Sequence, residues 1–399
     1  MPAAEDGGME TKMSKRMEES SSLNVAKHHK SKTFIKGMDL SSLLEVEECG
    51  GKFYDRGKQG DAMDILQRYG CNAVRLRLWV NPYDENGTPY GAGTNDLSRT
   101  MRLAKRVLQR KLDFLLDIHY SDFWADPGKQ IKPKAWAGLT KEELTKKVYE
   151  YTKETMEKLR AEHTLPTMVQ VGNELSNGLL WPEGKTPHFD AIASFVNAGI
   201  RGVKDVCPDM SIMIHLDNGG NNTLYRTWFD NYFQNGGADF DVIGLSYYPF
   251  WHGTLDMLSA NMNDIALRYG KDLIVAEVSM GFTTEDYRPY EKAPLSALKG
   301  MATREELVKR VPYPMSIKGQ CEFMRDFMEC IKNVPNGHGK GFYYWEPAWI
   351  PVPGSGWATK PSLAYMNDPG PCGNEWANQA LFDYEGNALP ALETIRHTN

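Results

Sequence analysis

The sequence predicts a (β/α)8 barrel, an α/β fold in which one domain carries enlarged loops at the carboxyl ends of its strands. Three observations lead there. Eight short apolar runs recur along the chain, amphipathic helical stretches lie between them, and no break in composition divides residues 34–399. Strands that alternate with helices imply parallel pairing through βαβ crossovers, and eight such units suit a closed barrel. An open doubly wound sheet would normally show a glycine-rich phosphate turn after its first strand. Here "GMDLSSLLE" follows, with a single Gly.

Taken in order, each run ends on polar or aromatic residues. The first, "TFIKGMDL", ends on Asp39. The second, "NAVRLRLWV", sets Arg75, Arg77 and Trp79 on one face by period two. The third, "LDFLLDIHYSDFW", reaches Asp117, His119, Ser121, Asp122 and Trp124, with Asp126 beyond. The fourth, "TMVQVGNE", stops on Asn173 and Glu174, and the fifth, "SIMIHLDNG", on His215, Asp217 and Asn218. The sixth, "FDVIGLSYYPF", supplies Ser246, Tyr247 and Tyr248. The seventh, "DLIVAEVSMG", holds Glu277, and the eighth, "GFYYWEPAW", leads into Trp345 and Glu346. Between runs, "KEELTKKVYEYTKETMEKLRAE" places Leu144, Val148, Tyr151, Thr155 and Leu159 near a helical period. The longest connection runs from Gly281 to about Lys318 and is expected to wall a binding site.

Residues 1–33 are polar and lack an apolar h-region. They are expected to be a disordered tail or an expression remnant rather than a signal peptide. His28 and His29 have no ligand-like neighbours there, so no metal is assigned to them. Net charge is −6 with no basic stripe, which disfavours nucleic acid as a partner. No apolar run approaches the ~18 residues of a membrane span. Six cysteines without a CxxC pair read as free thiols. Cys321 and Cys330 share one expected helix but face opposite sides of it. Ten Trp and 19 Tyr suit a large core or a sugar-binding cleft.

Two carboxylates stand out. Strands four and seven lie nearly across a barrel from one another, so Glu174 and Glu277 aim into one cleft. Acid-assisted glycoside hydrolysis needs such a pair, one a proton donor and one a carboxylate. Arg77 is expected to keep Glu277 ionised, while apolar surroundings raise Glu174. Asn173 is placed to donate to a sugar 2-hydroxyl. Blander readings exist for each residue. An Asn-Glu pair after a strand is most often a helix N-terminus with Asn capping. Glu277 fits a structural ion pair with Arg75 or Arg77, Trp345 fits a core, and His119 and His215 fit satisfied core histidines. What those readings leave unexplained is that all these groups fall at the same end of eight strands.

The segments "KGMDLS", "CNAVRLRLWVNP", "DIHYSDFWADPGKQIKPKAW", "QVGNELSNGLLWP", "DVIGLSYYPFWHGTL", "VAEVS" and "FYYWEPAWIP" together resemble glycoside hydrolase family 53, the endo-β-1,4-galactanases. They span about residues 34–393. The resemblance implies retaining hydrolysis of β-1,4-galactan, the side chains of pectic type I arabinogalactan, through a covalent glycosyl-enzyme. It implies Glu174 as acid/base and Glu277 as nucleophile, with Asn173, Arg77 and Trp345 in support. Tyr248 is preferred to Tyr247, because it shares a face with the small Gly244 and Ser246. Trp124, Trp251 and Trp349 are expected platforms for galactose rings. Asp39, His119, Asp122, His215 and Asp217 complete the candidate site. The partners implied are galactan or galacto-oligosaccharides, with no nucleic acid and no membrane. No cofactor and no metal are expected. Some bacterial members carry calcium in the loop after strand seven, on an Asp-x-Asp/Gly-x-His-type run. Here that loop reads "GFTTEDYRPYEKAPLSALKG", which offers Glu285 and Asp286 but not the spaced cluster. Family members are usually exported, so a secreted or cell-surface enzyme is implied, with a cytoplasmic one acting on imported oligosaccharides still open. Another endo-β-glycanase of the clan, such as a β-mannanase, is the competing enzyme. A non-catalytic carbohydrate-binding barrel is the competing class, and it would normally lack one of the two carboxylates.

Overall fold

The computed structural model describes residues 33–398. The tail expected over residues 1–33 lies, but for Thr33, outside the described residues. Eight strands form a closed barrel: β1 (Ile35–Asp39), β2 (Ala73–Leu78), β3 (Asp113–Ile118), β4 (Met168–Val171), β5 (Ser211–Leu216), β6 (Val242–Tyr247), β7 (Asp272–Val278) and β8 (Gly339–Tyr344). Each pairs in parallel with the next, and β8 returns to β1. Around them run α1 (Ala62–Arg68), α2 (Leu97–Gln109), α3 (Lys141–Ala161), α4 (Phe189–Val206), α5 (Asn222–Gln234), α6 (Leu255–Tyr269) and α7 (Ile317–Lys332), followed by a final α8 (Ala391–His397).

The helices begin where the sequence supplies caps. Asp96 accepts from the Arg99 N–H at the start of α2, and Thr140 with Glu143 forms a capping box on α3. Each such cap satisfies donors that the first turn leaves free. On α3 the buried stripe includes Leu144, Val148, Met156 and Leu159, which pack against the barrel wall.

The barrel interior changes character along its axis. At the amino ends Ala73, Leu115, Met213, Val242, Ile274 and Tyr343 form an apolar plug. Tyr343 lies so close to β1 that a Cβ on Gly37 would come within 2.3 Å of its ring, so only glycine fits there. One layer higher the inward residues are Arg75, Asp117, Gln170 and His215, all buried. A charged layer inside a barrel is costly unless every group is partnered. That layer is the floor of the site.

Candidate active site

Two local distortions place the principal carboxyls. In β7, Leu273 and Val275 pack outward on the helices while Ile274 and Ala276 face the axis. Strict alternation would then send Glu277 outward with them. Instead the register with β6 steps from Leu245↔Val275 to Ser246↔Glu277, a bulge that turns two successive residues inward. β4 ends at Val171, just before Gly172, and Glu174 adopts a left-handed backbone with φ 48°. Only a 3-10 turn, Leu175–Asn177, follows. Asn173 caps nothing: its Nδ2 donates to the Ala125 carbonyl at 2.9 Å, and its Oδ1 accepts from Arg75 at 2.9 Å. The helix N-terminus reading of Asn-Glu is therefore set aside. Tyr120, Asn218 and Glu346 also sit at strand ends with positive φ. Such backbone costs about 1–3 kcal/mol each and persists where packing over-determines it.

The result is a cleft of about 440 Å³ over the carboxyl ends of the strands. Glu174 and Glu277 face each other in it, with a carboxyl oxygen of each within 4.8 Å of the other. Glu277 accepts from the Tyr248 hydroxyl at 2.8 Å and pairs with Arg75 at 3.0 Å. Tyr247 turns the other way and stacks on Phe323 and Phe327 of α7. Glu174 accepts from Ser246 Oγ at 2.6 Å.

Arg75, not Arg77, is the cation that serves Glu277. Both arginines point inward from β2, but Arg75 lies one layer deeper. There it meets Asp39 and Asp117 at 2.8 Å each as well as Glu277. Arg77, nearer the rim, pairs with Glu346 at 2.5 Å and lies 4.5 Å over the Trp124 ring. The expectation that Arg77 ionises Glu277 is corrected by this difference of one layer.

Burial lifts both carboxyls, and their neighbours then separate them. For Glu277 burial outweighs the opposing Arg75 guanidinium and Tyr248 hydroxyl, which hold the rise to about 7. Glu174 is pushed well above the usual carboxylate range, first by burial and then by the charges of Glu277 and Asp217, with only the Ser246 hydroxyl opposing. Glu277 therefore ionises first and Glu174 keeps its proton. Activity is expected to follow a bell-shaped pH profile, with Glu277 on the acid limb and Glu174 on the alkaline limb. Arg75→Lys, which loses the planar fork that reaches Asp39, Asp117 and Glu277 at once, should move the acid limb of kcat/KM to higher pH and leave the alkaline limb in place. A shift of the alkaline limb instead would reverse the assignment.

The other expected residues divide into three groups. His119, Asp217, Trp124, Trp251 and Trp345 line the cleft. His119 accepts at Nδ1 from Trp79 and donates from Nε2 to Asp117 at 3.0 Å, which fixes its tautomer. Asp217 accepts from Ser176 beside Glu174. Asp39 and His215 are buried beneath the cleft and act on it through Arg75 and Ser246. Asp122 does not reach the cleft, and Trp349 borders it only from behind Trp345. Asp122 is buried and holds Lys134 through the backbone N–H and Nζ, both at 2.8 Å. Trp349 has no exposed surface; it backs Trp345 at 5.8 Å and donates to the Ser355 carbonyl.

Sequence reasoning missed the wall formed after β8. Trp357, Asp368, Gly370, Glu375 and Trp376 line the cleft, whereas the long connection after Gly281 contributes Leu298. Trp376 links the aromatic surface, 4.6 Å from Trp345, 5.2 Å from Tyr248 and 6.0 Å from Trp251. It lies in "GNEWANQ", past the last apolar run, where no periodicity marks it. Arg304, in the long connection, pairs with Glu375 and so buttresses this wall from behind.

The family model for glycosyl hydrolase family 53 matches residues 35–395. The chain belongs to glycosyl hydrolase family 53. It is 38% identical over 388 residues to an endo-β-1,4-galactanase of Bacillus subtilis, covering 92% of this chain and 86% of that one. It is 36% identical over 324 residues to a probable arabinogalactan endo-β-1,4-galactanase A of Neosartorya fischeri, covering 79% and 84%. Among solved structures, the Ignisphaera aggregans GH53 catalytic domain superposes with a TM-score of 0.84 at 39% identity, covering 92% of this chain and 96% of that one. In this family 53 barrel the loop after β7 does not suit the calcium site some bacterial members carry. Asp286 is taken by Arg288 at 2.8 Å, and Glu285 accepts from the Tyr290 hydroxyl at 2.9 Å. Arg288 also donates to the Ala297 carbonyl at 3.1 Å, so a guanidinium ties the loop together. A chelator is expected to leave the melting temperature unchanged within a degree or so; a fall of several degrees would show a bound ion.

Proposed function

We propose that this protein is an endo-acting, retaining β-1,4-galactanase, with Glu277 as nucleophile and Glu174 as acid/base. The observation that carries the chemistry is the pair of facing carboxyls, oxygens within 4.8 Å, one on a guanidinium and one on a hydroxyl. Inverting hydrolases hold theirs roughly 6.5–9.5 Å apart to admit a water, and retaining ones about 5–5.5 Å. The substrate class rests on the galactanases that the chain resembles over most of its length.

In the first step Glu277 attacks the anomeric carbon while Glu174 protonates the departing glycosidic oxygen. The C–O bond to the aglycone breaks as the ester to Glu277 forms. In the second step Glu174, now ionised, takes a proton from water, which attacks the same carbon and releases Glu277. Asn173, held through both ends of its amide, lies beside Glu174 where the 2-hydroxyl of the sugar would reach. Trp345, Trp376 and Trp251 offer apolar ring surface to successive sugars. A polysaccharide does not cross a membrane, so this reading places the action at or beyond the cell surface. No helix among the described residues is long and apolar enough to span a membrane.

The test uses linear β-1,4-galactan beside mannan and xylan. Oligosaccharides of mixed length should appear early from galactan alone, with the first product retained in configuration. A mannan preference, or galactose as the sole early product, would overturn the reading. For the roles, Glu174→Ala should lose galactan hydrolysis yet still release an acidic phenol from an aryl galactobioside. Added azide should then displace Glu277 from the ester and give the β-galactosyl azide. An α-azide from this variant would exchange the two roles.

A further inference from the structure

Beneath Glu174 lies a buried chain of hydrogen bonds that hydrolysis as described does not use. Ser246 Oγ is 2.6 Å from Glu174 Oε1 and 2.9 Å from His215 Nε2. His215 Nδ1 lies 3.0 Å from Gln170 Nε2 and 3.0 Å from Asn173 Oδ1. Both amides are fixed in orientation. Gln170 Oε1 accepts from Arg75 Nε at 3.1 Å while its Nε2 donates to Asp117 at 2.7 Å. Asn173 Oδ1 accepts from Arg75 and its Nδ2 donates to Ala125. Nδ1 of His215 therefore sits between one donor and one acceptor at equal distance, and that end of the ring leaves the tautomer open. Burial, then the positive charge of Arg75, hold the ring neutral far into acid, so it carries a single proton.

The other end of the ring decides. A hydroxyl has one proton to give. In the second step of the reaction Glu174 is an anion, which accepts and cannot donate, so the Ser246 proton must point at Oε1. Ser246 then has none for His215, and Nε2 of His215 must itself be the donor. With the proton on Nδ1 instead, Ser246 would donate to His215. The acid proton of Glu174 would then lie on Oε1, aimed at Ser246 and away from the cleft. We infer that Ser246 and His215 are positioning residues for Glu174: His215, as its Nε2–H tautomer, turns the Ser246 hydroxyl onto Oε1 and leaves Oε2 as the oxygen that carries the catalytic proton. Gln170, which gives one Nε2 proton to Asp117, has its second within reach of Nδ1, beside the Gly172 carbonyl and Asn173 Oδ1. The inference rests on Glu174 being the acid/base. The charges of Glu277, Asp217 and Asp126 act on the same carboxyl, but the hydroxyl of Ser246 is what fixes which oxygen is protonated.

The tautomer is read directly from ¹⁵N-histidine-labelled enzyme, in which the bare nitrogen of a neutral ring resonates well downfield of the protonated one. His215 should appear as a neutral ring protonated at Nε2, recognised because Ser246→Ala shifts that nitrogen. A ring protonated at Nδ1 would overturn the inference. Kinetically, Ser246→Ala removes a donor that favours the ionised form of Glu174. It should raise the alkaline limb of the pH profile by about one unit. It should also cut kcat on galactan roughly 10- to 100-fold, the scale of a lost hydrogen bond to a charged group, with little change in KM. Release of an acidic phenol from an aryl galactobioside, whose first step needs little protonation, should fall far less. Equal losses on both substrates with an unmoved alkaline limb would reduce Ser246 to packing and overturn the inference. Should Glu174→Ala keep full galactan activity, the acid/base assignment fails, and the NMR result still reports the tautomer on its own.

Discussion

Glu277→Gln is expected to fold and to lose turnover by at least about 10⁴-fold, the scale seen when an enzyme's nucleophile is removed. Gln keeps the volume and can still accept from Tyr248, but its amide oxygen does not form the glycosyl ester. The effect on folding should be small in comparison. Arg75 loses one of three carboxylate partners and retains Asp39 and Asp117 at 2.8 Å. Burst measurements with an aryl galactobioside should show no first-step release of phenol. A variant that retains a burst, or that falls by only tenfold, would remove Glu277 from the nucleophile's role.

Arg75→Met is expected to have the largest effect on stability. Arg75 is buried at the centre of the barrel and faces Asp39, Asp117 and Glu277 within 3.0 Å. Its removal strands three carboxylates in a low-dielectric interior. Breaking a buried pair from one side costs about 3–5 kcal/mol, and here one cation serves three anions. Denaturant unfolding should show a loss at or above that range. Whatever folds should need higher pH for activity, since Glu277 loses the charge that favours its ionised form. Arg77→Met provides the contrast. It disturbs Glu346 and Trp124 at the rim and should leave the acid limb where it was. If Arg77→Met moves that limb and Arg75→Met does not, the placement of the two arginines is wrong.

How much of this was legible in the chain differs from residue to residue. Eight apolar runs separated by amphipathic stretches determined the barrel, because parallel strands buried on both faces and helices buried on one leave distinct periods. The same runs located the site, since a barrel that seals its amino end with Leu115, Met213 and Tyr343 has room for polar side chains only at the other. Glu174, Glu277 and Trp345 were placed at the cleft in this way, and they line it. Asp122 and Trp349 were chosen by the same rule of position; Asp122 lies outside the cleft, and Trp349 borders it from behind Trp345. A strand end says how far along the barrel a residue lies, but not whether a neighbour such as Lys134 or Ser355 has already claimed it.

The sequence by itself determined the fold, the end of the barrel that works and the two carboxyls that face each other there. Tertiary structure alone decided their environments. Period two would have turned Glu277 outward, and the bulge between β6 and β7 turns it in. Two arginines on one face of β2 were equivalent on paper, and one layer of depth assigned Arg75 to Glu277 and Arg77 to Glu346. Trp376 reached the aromatic wall from a segment with no periodicity at all. The reason is common to the three. Local pattern records which side of an element is apolar, whereas the charge state of a buried group depends on which partners lie within a few ångströms, and those arrive from strands far apart in the chain.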